Sequence, residues 1–501
     1  LVTSVLLIGA FAVANGDIHL SHEDTNQKQA YYAALAGVQA YEQKLEANPD
    51  YWETCEGPTG TVLEENSERY EVRVLPASTA PGGTTECSAV NPFGTVIEGG
   101  SSGAFANTFR IKSTGYAKAT GYSGSAKRSL VATFQVTGFL NYLYFTNFEQ
   151  GDPQVFGGSK ECEGKYHSEW SAKGLGCTQI QFTTGDEVNG PMHTNDAAKV
   201  VGEASFGRKE HSPSDVVEMN GGTYPTEGCG EGVSAKYNTS TKCFTKGSTL
   251  EPPESDTSLE AYVNEADKFE GQTHLELKGA SNQIAVTRFN AEGKEVKETI
   301  AWPSNGLIYV KQTASGCNYS YEVENADTSA ASEAEKSCGN VFVNGTYAKA
   351  LTVAGEQEVI INGNLYPTSV EGKLGEKPSG TATLGLIATK YVRVYHPCSS
   401  GFLGGGNGAG SLESPWIYAA VLSTAHSFIV DNYACGNELG KLHVYGAIAQ
   451  DYRGAVGTVG ASGYLKDYKY DDRLAAAEPP YFLAPLKSGW KIVRETAPEP
   501  G

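Results

Sequence analysis

The sequence predicts an α+β protein that is mostly β, with one long N-terminal helix, an antiparallel sheet and then a β-solenoid head. Three observations predict this class. Apolar residues recur at helical spacing before Pro49, polar and apolar residues alternate after it, and short β-rich runs recur toward the C-terminus. We therefore divide the 501 residues into a helix at 1–48, a sheet domain at 49–153 and a head at 154–501.

The N-terminal helix is predicted from two adjoining patterns. Residues 1–14, LVTSVLLIGAFAVA, carry no charge. Tyr31, Leu35 and Val38 then follow at helical spacing, and Pro49 gives a stop. One helix over both patterns would be about 70 Å long, more than a globular core needs.

The uncharged run is shorter than the roughly 20 residues of a membrane span. Burying its large side chains would yield about 10–20 kcal/mol, against an association cost of about 4–15 kcal/mol. We therefore expect it to pack against identical helices or to remain in a bilayer. The residues expected to make the helix contacts are Val2, Val5, Leu6, Ile8, Phe11 and Ala12. A leftover signal-peptide core or a simple membrane tether is the alternative, but neither explains the amphipathic continuation AYYAALAGV.

The segment after the helix predicts antiparallel strands. In RYEVRVLPA, charged residues alternate with Tyr70, Val72 and Val74, which places the apolar side chains on one face. Such a face is expected to pack against the helix.

The remaining chain predicts strands that stack in parallel. Runs such as ALTVAGEQEVIINGNL, LGLIATKYVRVYHP and WIYAAVLSTAHSFIVDNY are separated by turn residues at rung-like intervals. The terminal PPYFLAPLKSGWKIV is expected to cap the last rung. The residues expected to point into one long core are Val359, Ile361, Leu386, Ile387, Val392, Val394, Ile429 and Val430.

Charge and cysteine content restrict the possible environments. The chain has 38 Lys and Arg against 58 Asp and Glu, so its net charge of −20 disfavours nucleic acid as a partner. The ten cysteines include no C-x-x-C pair, which disfavours zinc ribbons. Their even number and near-neighbour spacing predict disulfides and an oxidising compartment, with buried free thiols as the alternative. The disulfide candidates are Cys55, Cys87, Cys162, Cys177, Cys229, Cys243, Cys317, Cys338, Cys398 and Cys435.

Several stretches together resemble the type IV pilin-like family, in particular the large minor-pilin-like or pseudopilin-like proteins of Gram-positive bacteria with a β-helical head. They are LVTSVLLIGAFAV, DTNQKQAYYAALAGVQAYEQKL, GDEVNGPMHTNDAAKVVGEASFG and GLIATKYVRVYHP. The resemblance implies that a peptidase removes a short leader, and that the apolar helix waits in the cytoplasmic membrane before packing into a filament. Many major pilins carry glutamate at the fifth mature position, whereas this chain has Val5. The sequence is therefore compatible with either a polymerising subunit or a tip subunit.

Few patterns in the sequence predict a catalytic or metal-binding site. His193, Asn195 and Asp196 in PMHTND lie near Asp186 and Glu187, a set able to bind metal or transfer protons, although an ordinary structural turn is the favoured explanation. A carboxylate groove of a β-helical polysaccharide enzyme is the other candidate, with a solvated acidic face as its alternative. Its members would be Asp431, Asp451, Asp467, Asp471 and Asp472. H-E-x-x-H, P-loop and Rossmann motifs are absent, and we assign no catalytic, cofactor-binding or metal-binding residue.

The sequence thus predicts a non-enzymatic structural subunit of an extracellular pilus-like filament, assembled with itself or with other pilin-like subunits. Its disulfide-strengthened head is expected to be displayed at the cell surface, with a surface or glycan as a possible ligand. Asn238, Asn318 and Asn344 fit the glycosylation sequon. The rival interpretation is an envelope-tethered β-helical enzyme acting on polysaccharide.

Overall fold

Strands dominate the structure, which confirms the prediction of a mostly-β chain. The computed structural model describes residues 2–48, 51–63, 68–76, 108–118, 125–156, 160–229, 233–289, 293–317, 336–399, 406–475, 477–486, 490–496 and 499–500. The chain forms two compact units. One is Leu1–Thr137 with Ser488–Gly501, and the other is Gly138–Lys487. The second unit is therefore inserted, in sequence, between two parts of the first.

The first unit begins with a single long helix and continues with strands. Its elements are α1 (Val2–Ala47), a 3-10 turn at Tyr51–Thr54, β1 (Thr59–Leu63), β2 (Glu68–Leu75), β3 (Thr108–Lys118) and β4 (Ser125–Val136). As expected, α1 covers both helical patterns of the sequence without interruption.

The second unit consists of short strands joined by turns. Its strands are β5 (Tyr144–Gly151), β6 (Gln181–Thr183), β7 (Glu187–Asn189), β8 (Met192–Thr194), β9 (Ala198–Val201), β10 (Ser205–Phe206), β11 (Val217–Met219), β12 (Thr223–Pro225), β13 (Lys236–Tyr237), β14 (Lys268–Glu270), β15 (Thr273–Lys278), β16 (Gln283–Phe289), β17 (Glu295–Ala301), β18 (Leu307–Lys311), β19 (Asn340–Tyr347), β20 (Leu351–Gly355), β21 (Glu358–Pro367), β22 (Leu384–Ala388), β23 (Tyr391–Val394), β24 (Cys398–Ser399), β25 (Gly406–Asn407), β26 (Trp416–Ile417), β27 (Ala420–Ser423), β28 (Phe428–Val430), β29 (Glu438–Arg453), β30 (Gly457–Thr458) and β31 (Ser462–Tyr470). Its helical segments are α2 (His167–Ala172) and 3-10 turns at Phe139–Asn141, Lys160–Cys162, Thr257–Ala261, Glu265–Asp267, Gly279–Ser281, Thr368–Val370 and Asp472–Ala475.

Two late strands return to the first unit. They are β32 (Trp490–Glu495) and β33 (Glu499–Pro500), and both pair antiparallel with β4. The sheet has the order β1-β2-β3-β4-β32 and is antiparallel throughout. As the alternation predicts, Val72 and Val74 are buried on its helix side, whereas Arg69 and Arg73 are exposed.

Two expectations need correction. The units divide after Thr137 rather than after residue 153, because β5 pairs with strands of the second unit. The described part of the terminal WKIV does not cap the last rung, because β32 hydrogen-bonds along the outer edge of β4. Both errors concern pairing between distant segments, which local residue patterns do not encode. The segment around SLEAYVNEADKF forms two 3-10 turns, Thr257–Ala261 and Glu265–Asp267.

Helix α1 lies so close to β3 that only small residues fit between them. Ala30 and Ala34 are fully buried on the facing side of the helix. A Cβ atom at Gly115 of β3 would lie 2.0 Å from the Ala30 carbonyl oxygen and 2.3 Å from the Ala34 amide nitrogen. The Ser113 hydroxyl donates a hydrogen bond of 2.7 Å to the Ala34 carbonyl, which fixes the same segment. Further along, Tyr41 is buried in an aromatic cluster of the sheet.

In the second unit, strands from successive turns of the chain pair in parallel. The first ladder has the order β14-β18-β20-β22-β27-β29-β5-β8-β11, and all its pairings are parallel. The second ladder has the order β15-β19-β21-β26-β29-β31-β7-β10-β13, also in parallel. Strands β23 and β28 continue a parallel branch from β21.

The ladder order defines an unusual chain path. The unit begins at β5, in the interior of the first ladder, and winds through β8 to β11 at one end. It then crosses to β14 at the opposite end and winds back to β29, which pairs with β5. We call the β5–β29 pairing the seam. Its register places Tyr144 beside Ile448 and Phe148 beside Tyr452.

Apolar side chains of both ladders form one extended core. Of the residues predicted to line it, Val359, Ile361, Leu386, Val392, Val394 and Val430 belong to this cluster. Ile387 and Ile429 are buried but lie outside it, which corrects the prediction for these two. Successive residues of a strand face opposite sides, so Ile387 packs on the other face of β22, with Leu250 and Leu259. Both faces of β22 are therefore covered, and its apolar run does not alternate.

We predict that Gly115→Ala destabilises the first unit by about 2–3 kcal/mol, because the added methyl overlaps the backbone of α1 and the helix must shift. Differential scanning calorimetry of the purified full-length chain measures the change. Gly176→Ala is the matched control, since a Cβ there meets nothing within 4 Å. Equal thermograms for the two variants would contradict the close docking.

Candidate functional site

The predicted assembly residues lie at the start of α1. They are Val2, Val5, Leu6, Ile8, Phe11 and Ala12. The structure describes the helix backbone here but side chains only from residue 24 onward, so the contacts of these six stay a prediction. Over the residues that the structure describes, no helix has both the length and the apolar character needed to cross a membrane.

The histidine of PMHTND is a buried member of a polar network. His193 is 0% exposed, and its Nδ1 lies 2.7 Å from Glu218 Oε2. Its Nε2 lies 2.9 Å from Asn195 Oδ1. The Tyr142 hydroxyl donates to the same Glu218 oxygen at 2.7 Å. Both ring nitrogens of His193 therefore have protein partners, which favours a structural role over metal binding.

The network continues along one corner of the first ladder. Asn195 donates to Asn147 Oδ1 at 2.9 Å and to the Leu250 carbonyl at 2.6 Å. Asn147 in turn donates to Asp451 Oδ1 at 2.7 Å. We call Asp451, Asn147 and Asn195 the polar corner. They come from neighbouring strands. The residues that directly precede them in the sequence lie opposite one another in the strand register. Side chains stacked in this way satisfy each other and fix the strand register.

The acidic neighbours of PMHTND serve other partners. Asp196 accepts the backbone amides of His167 at 2.7 Å, Ala197 at 2.7 Å and Glu149 at 3.1 Å. Asp186 lies 3.0 Å from Lys466, and Glu187 accepts a hydrogen bond from Asn189. The five predicted residues are therefore close in sequence, but their side chains do not converge on one point. Among the described residues, no group of three His, Cys, Asp or Glu side chains is arranged to hold a metal ion.

The five aspartates considered as a catalytic groove each have a partner. Asp431 lies 3.2 Å from Arg393, Asp451 2.7 Å from Asn147, Asp467 2.6 Å from His443, Asp471 2.7 Å from Arg473 and Asp472 2.7 Å from Arg208. Different arginine, histidine and asparagine side chains hold these aspartates, so they do not converge as a pair of free carboxylates. The arrangement favours structural roles for these residues.

Asp152 and His426 form a carboxylate–histidine pair that no sequence pattern predicted. Asp152 is fully buried, and its Oδ2 lies 2.8 Å from His426 Nδ1. Ser427 donates to the same oxygen at 3.2 Å, and Tyr391 stacks on the imidazole with ring centroids 4.7 Å apart. The two residues are 274 positions apart, so no local motif could reveal the pair.

Arg453 and Glu149 form a buried ion pair at the seam, which no sequence pattern predicted. Arg453 lies 2.9 Å from Glu149, and both residues are about 1% exposed. Arg453 also donates to the carbonyls of Ile180 and Gln181, at 3.1 and 3.2 Å. Its guanidinium lies 3.6 Å from the centre of the Phe182 ring. Burial raises the pKa of Glu149, and the adjacent Arg453 opposes part of that rise.

The cysteines form disulfides between near neighbours. The bonded pairs are Cys162–Cys177, Cys229–Cys243, Cys317–Cys338 and Cys398–Cys435. Cys87 lies outside the described residues, so the pairing of Cys55 with Cys87 stays a prediction. Persistent disulfides indicate an oxidising, extracytoplasmic environment.

The described sequon asparagines use their side-chain amides within the protein. Asn238 donates to Ser205 Oγ at 3.2 Å and to the Gly207 carbonyl at 2.9 Å. Asn344 donates to Asn362 Oδ1 at 2.9 Å. An N-linked sugar replaces one of the two hydrogens on this nitrogen, so glycosylation of Asn238, which donates two bonds, would cost at least one of them. The third candidate, Asn318, lies outside the described residues.

Comparison of the chain with protein-family models, with curated proteins and with solved structures finds no match.

Two carboxyls of this region, the buried Asp196 and the half-buried Asp451, predict a dependence of stability on pH. Burial raises the pKa of Asp451 to about 7 and that of Asp196 to about 7, from an ordinary value of 3.8. Between about pH 4 and 7 the unfolded chain ionises these groups while the folded chain keeps their protons, so their contribution to stability falls as pH rises. We predict that Asp451→Asn, which has no proton to lose, exceeds the wild type in unfolding free energy by about 1–3 kcal/mol at pH 8. At pH 4 the two should be nearly equal in denaturant titrations.

Asp472→Asn is the matched control with the opposite sign. Burial alone would raise the pKa of Asp472, but its bonds to Arg208 and Lys377 lower it below the ordinary value. Removing its charge should therefore lower stability at pH 8. A gain in stability for both variants would contradict the specific role of Asp451 and point to the general relief of negative charge.

Proposed function

We propose that this protein is a structural subunit of an extracellular type IV pilus-like filament, assembled through the apolar start of α1. One observation carries the proposal. A single helix joins an uncharged N-terminal run of 14 residues to a segment held tightly against the sheet of the first unit. A helix fixed at one end to a folded unit can transmit its position to that unit when its other end packs with neighbours.

The energetics support association of the apolar run. The uncharged part of α1, residues 2–14, forms about 20 Å of helix. Burying the large apolar side chains among residues 1–14 would yield about 10–20 kcal/mol, which is comparable to or larger than an association cost of about 4–15 kcal/mol. Helices of sister subunits, or of related pilin-like subunits, provide that apolar environment in a filament.

We further propose that the second unit is a β-helical head of the solenoid type. Two parallel ladders share one continuous apolar core, and stacked turns of this kind form an elongated, rigid body. Four disulfides close short loops along it and reduce the entropy of the unfolded chain. Such a head suits display at the cell surface and adhesion to a surface or glycan.

A polysaccharide-active enzyme is the second candidate. The observation that favours it is the position of Asp451, a carboxyl with a pKa near 7 that interacts electrostatically with His426 and Asp152. A protonated carboxyl beside a histidine is a workable acid–base arrangement. We prefer the filament because each of these groups is engaged in hydrogen bonds that stabilise the stack.

We predict that Ile8→Asp with Phe11→Asp abolishes filaments while both units remain folded, because two buried charges in a helix bundle have no partner. Electron microscopy of surface-expressed protein counts filaments, and circular dichroism of the purified chain measures folding. Gln39→Asp is the matched control, because this exposed residue lies on the docked half of the same helix.

Persistent filaments in the double variant would overturn the filament proposal. Assays on polysaccharides address the rival. Sugar cleavage that is lost in His426→Ala, with filaments absent in the wild type, would establish the enzyme instead.

A further inference from the structure

Strand β17 is the edge of a sheet that extends the second ladder. Beyond the terminal rung β15, the sheet continues antiparallel through β16 to β17. Within the described part of the chain, β17 has a register pairing only with β16. Exposed and half-buried residues alternate along it. An edge strand has backbone N–H and C=O groups directed away from its one neighbour, and these can pair with another chain.

The charges along this edge are self-complementary. The segment Lys294-Glu295-Val296-Lys297-Glu298 inverts its charges about its centre. When two copies pair antiparallel about Val296, Lys294 faces Glu298 and Glu295 faces Lys297 of the other copy. Opposite charges directly across an antiparallel pair stabilise it, and like charges destabilise it.

Two-fold symmetry and charge together favour this register over the other registers in which two copies of β17 could pair. A two-fold axis perpendicular to the sheet keeps the half-buried faces of both copies on the same side of the sheet. With such an axis, one residue of the strand must lie directly opposite the same residue of the other copy. An axis at Glu295, Lys297 or Glu298 would place identical charges opposite each other. An axis at Thr299 would place the charges opposite uncharged residues. Only the axis at Val296 gives every charge of the segment a counter-charge.

We propose that β17 pairs antiparallel with β17 of a second copy of this chain, about a two-fold axis through Val296. The interface is isologous, as in most symmetric dimers. Contacts within each copy hold the side chains on the strand surface: Lys297 lies 2.8 Å from Glu295, and Glu298 lies 2.8 Å from Arg288. Charges on an edge discourage pairing with unrelated apolar strands, whereas this pattern admits its own copy. The contact involves the second unit and is independent of the apolar run of α1.

Cysteine cross-linking tests the register directly. Opposed residues of an antiparallel pair have Cα atoms about 4.5–5.5 Å apart, a separation that a disulfide can bridge. Full-length Val296→Cys, dispersed in detergent and oxidised with copper phenanthroline, is therefore expected to form a covalent dimer. In Thr299→Cys the two sulfur-bearing residues would be about 20 Å apart, so this control should remain monomeric. Equal dimer yields for the two variants would overturn the proposal.

Charge exchange tests the specificity of the pairing. Adding Glu298→Lys to Val296→Cys places lysines opposite each other twice and should lower the dimer yield about five-fold. Adding Lys294→Glu as well should restore it. Both variants lose the Glu298–Arg288 contact, so a merely structural effect of that loss would not be rescued. Failure of the rescue would refute the pairing.

The same cross-linking in the Ile8→Asp, Phe11→Asp background separates this contact from filament assembly. Retained dimers without filaments would support the β17 interface and leave the filament proposal to its own test. Loss of dimers in that background would show that the contact needs the filament and would overturn its independence.

Discussion

The seam between β5 and β29 is the constraint on which the second unit depends. Asn147 and Asp451 meet there although 304 residues separate them in sequence, and Glu149 meets Arg453 beside them. Without this pairing, the two runs of rungs would each expose a strand edge in the middle of the unit. A slip of one residue would turn apolar side chains outward and separate the charged pair, so the polar contacts specify the register that the apolar core alone would leave less defined.

The first unit depends on a different constraint, the short distance between α1 and β3. Ala30, Ala34 and Gly115 leave room for backbone to approach backbone, and Ser113 adds a hydrogen bond to the helix itself. Small residues are thus needed where the helix and sheet touch most closely. Larger side chains such as Tyr41 fill the space further along, among the aromatic rings of Phe109 and Phe134. The helix therefore has one preferred position on the sheet.

Local sequence patterns predicted the secondary-structure elements well, but they did not predict which distant segments pair with each other. The helix, the alternation in β2 and the near-neighbour disulfides depend on residues close in sequence, and all of these appear in the structure. The return of β32 to β4 and the entry of the chain at an interior rung depend on hydrogen bonds between segments hundreds of residues apart. The candidate site follows the same division. PMHTND was noticed for its composition, but Glu218, Asn147 and Asp451 join it only through the stacking of strands.

The entry of the chain at β5 has a consequence for how such a unit can change in size. The first strand of the unit, β5, and its late strand β31 both pair with β29, so segments from the beginning and from near the end of the unit's sequence are neighbours within it. The ends of the first ladder, β11 and β14, are separated from the β5–β29 pair by further strands of that ladder. Strands can therefore be added or removed at either end of this ladder during evolution without breaking the β5–β29 pairing, provided that the crossing segment adjusts in length.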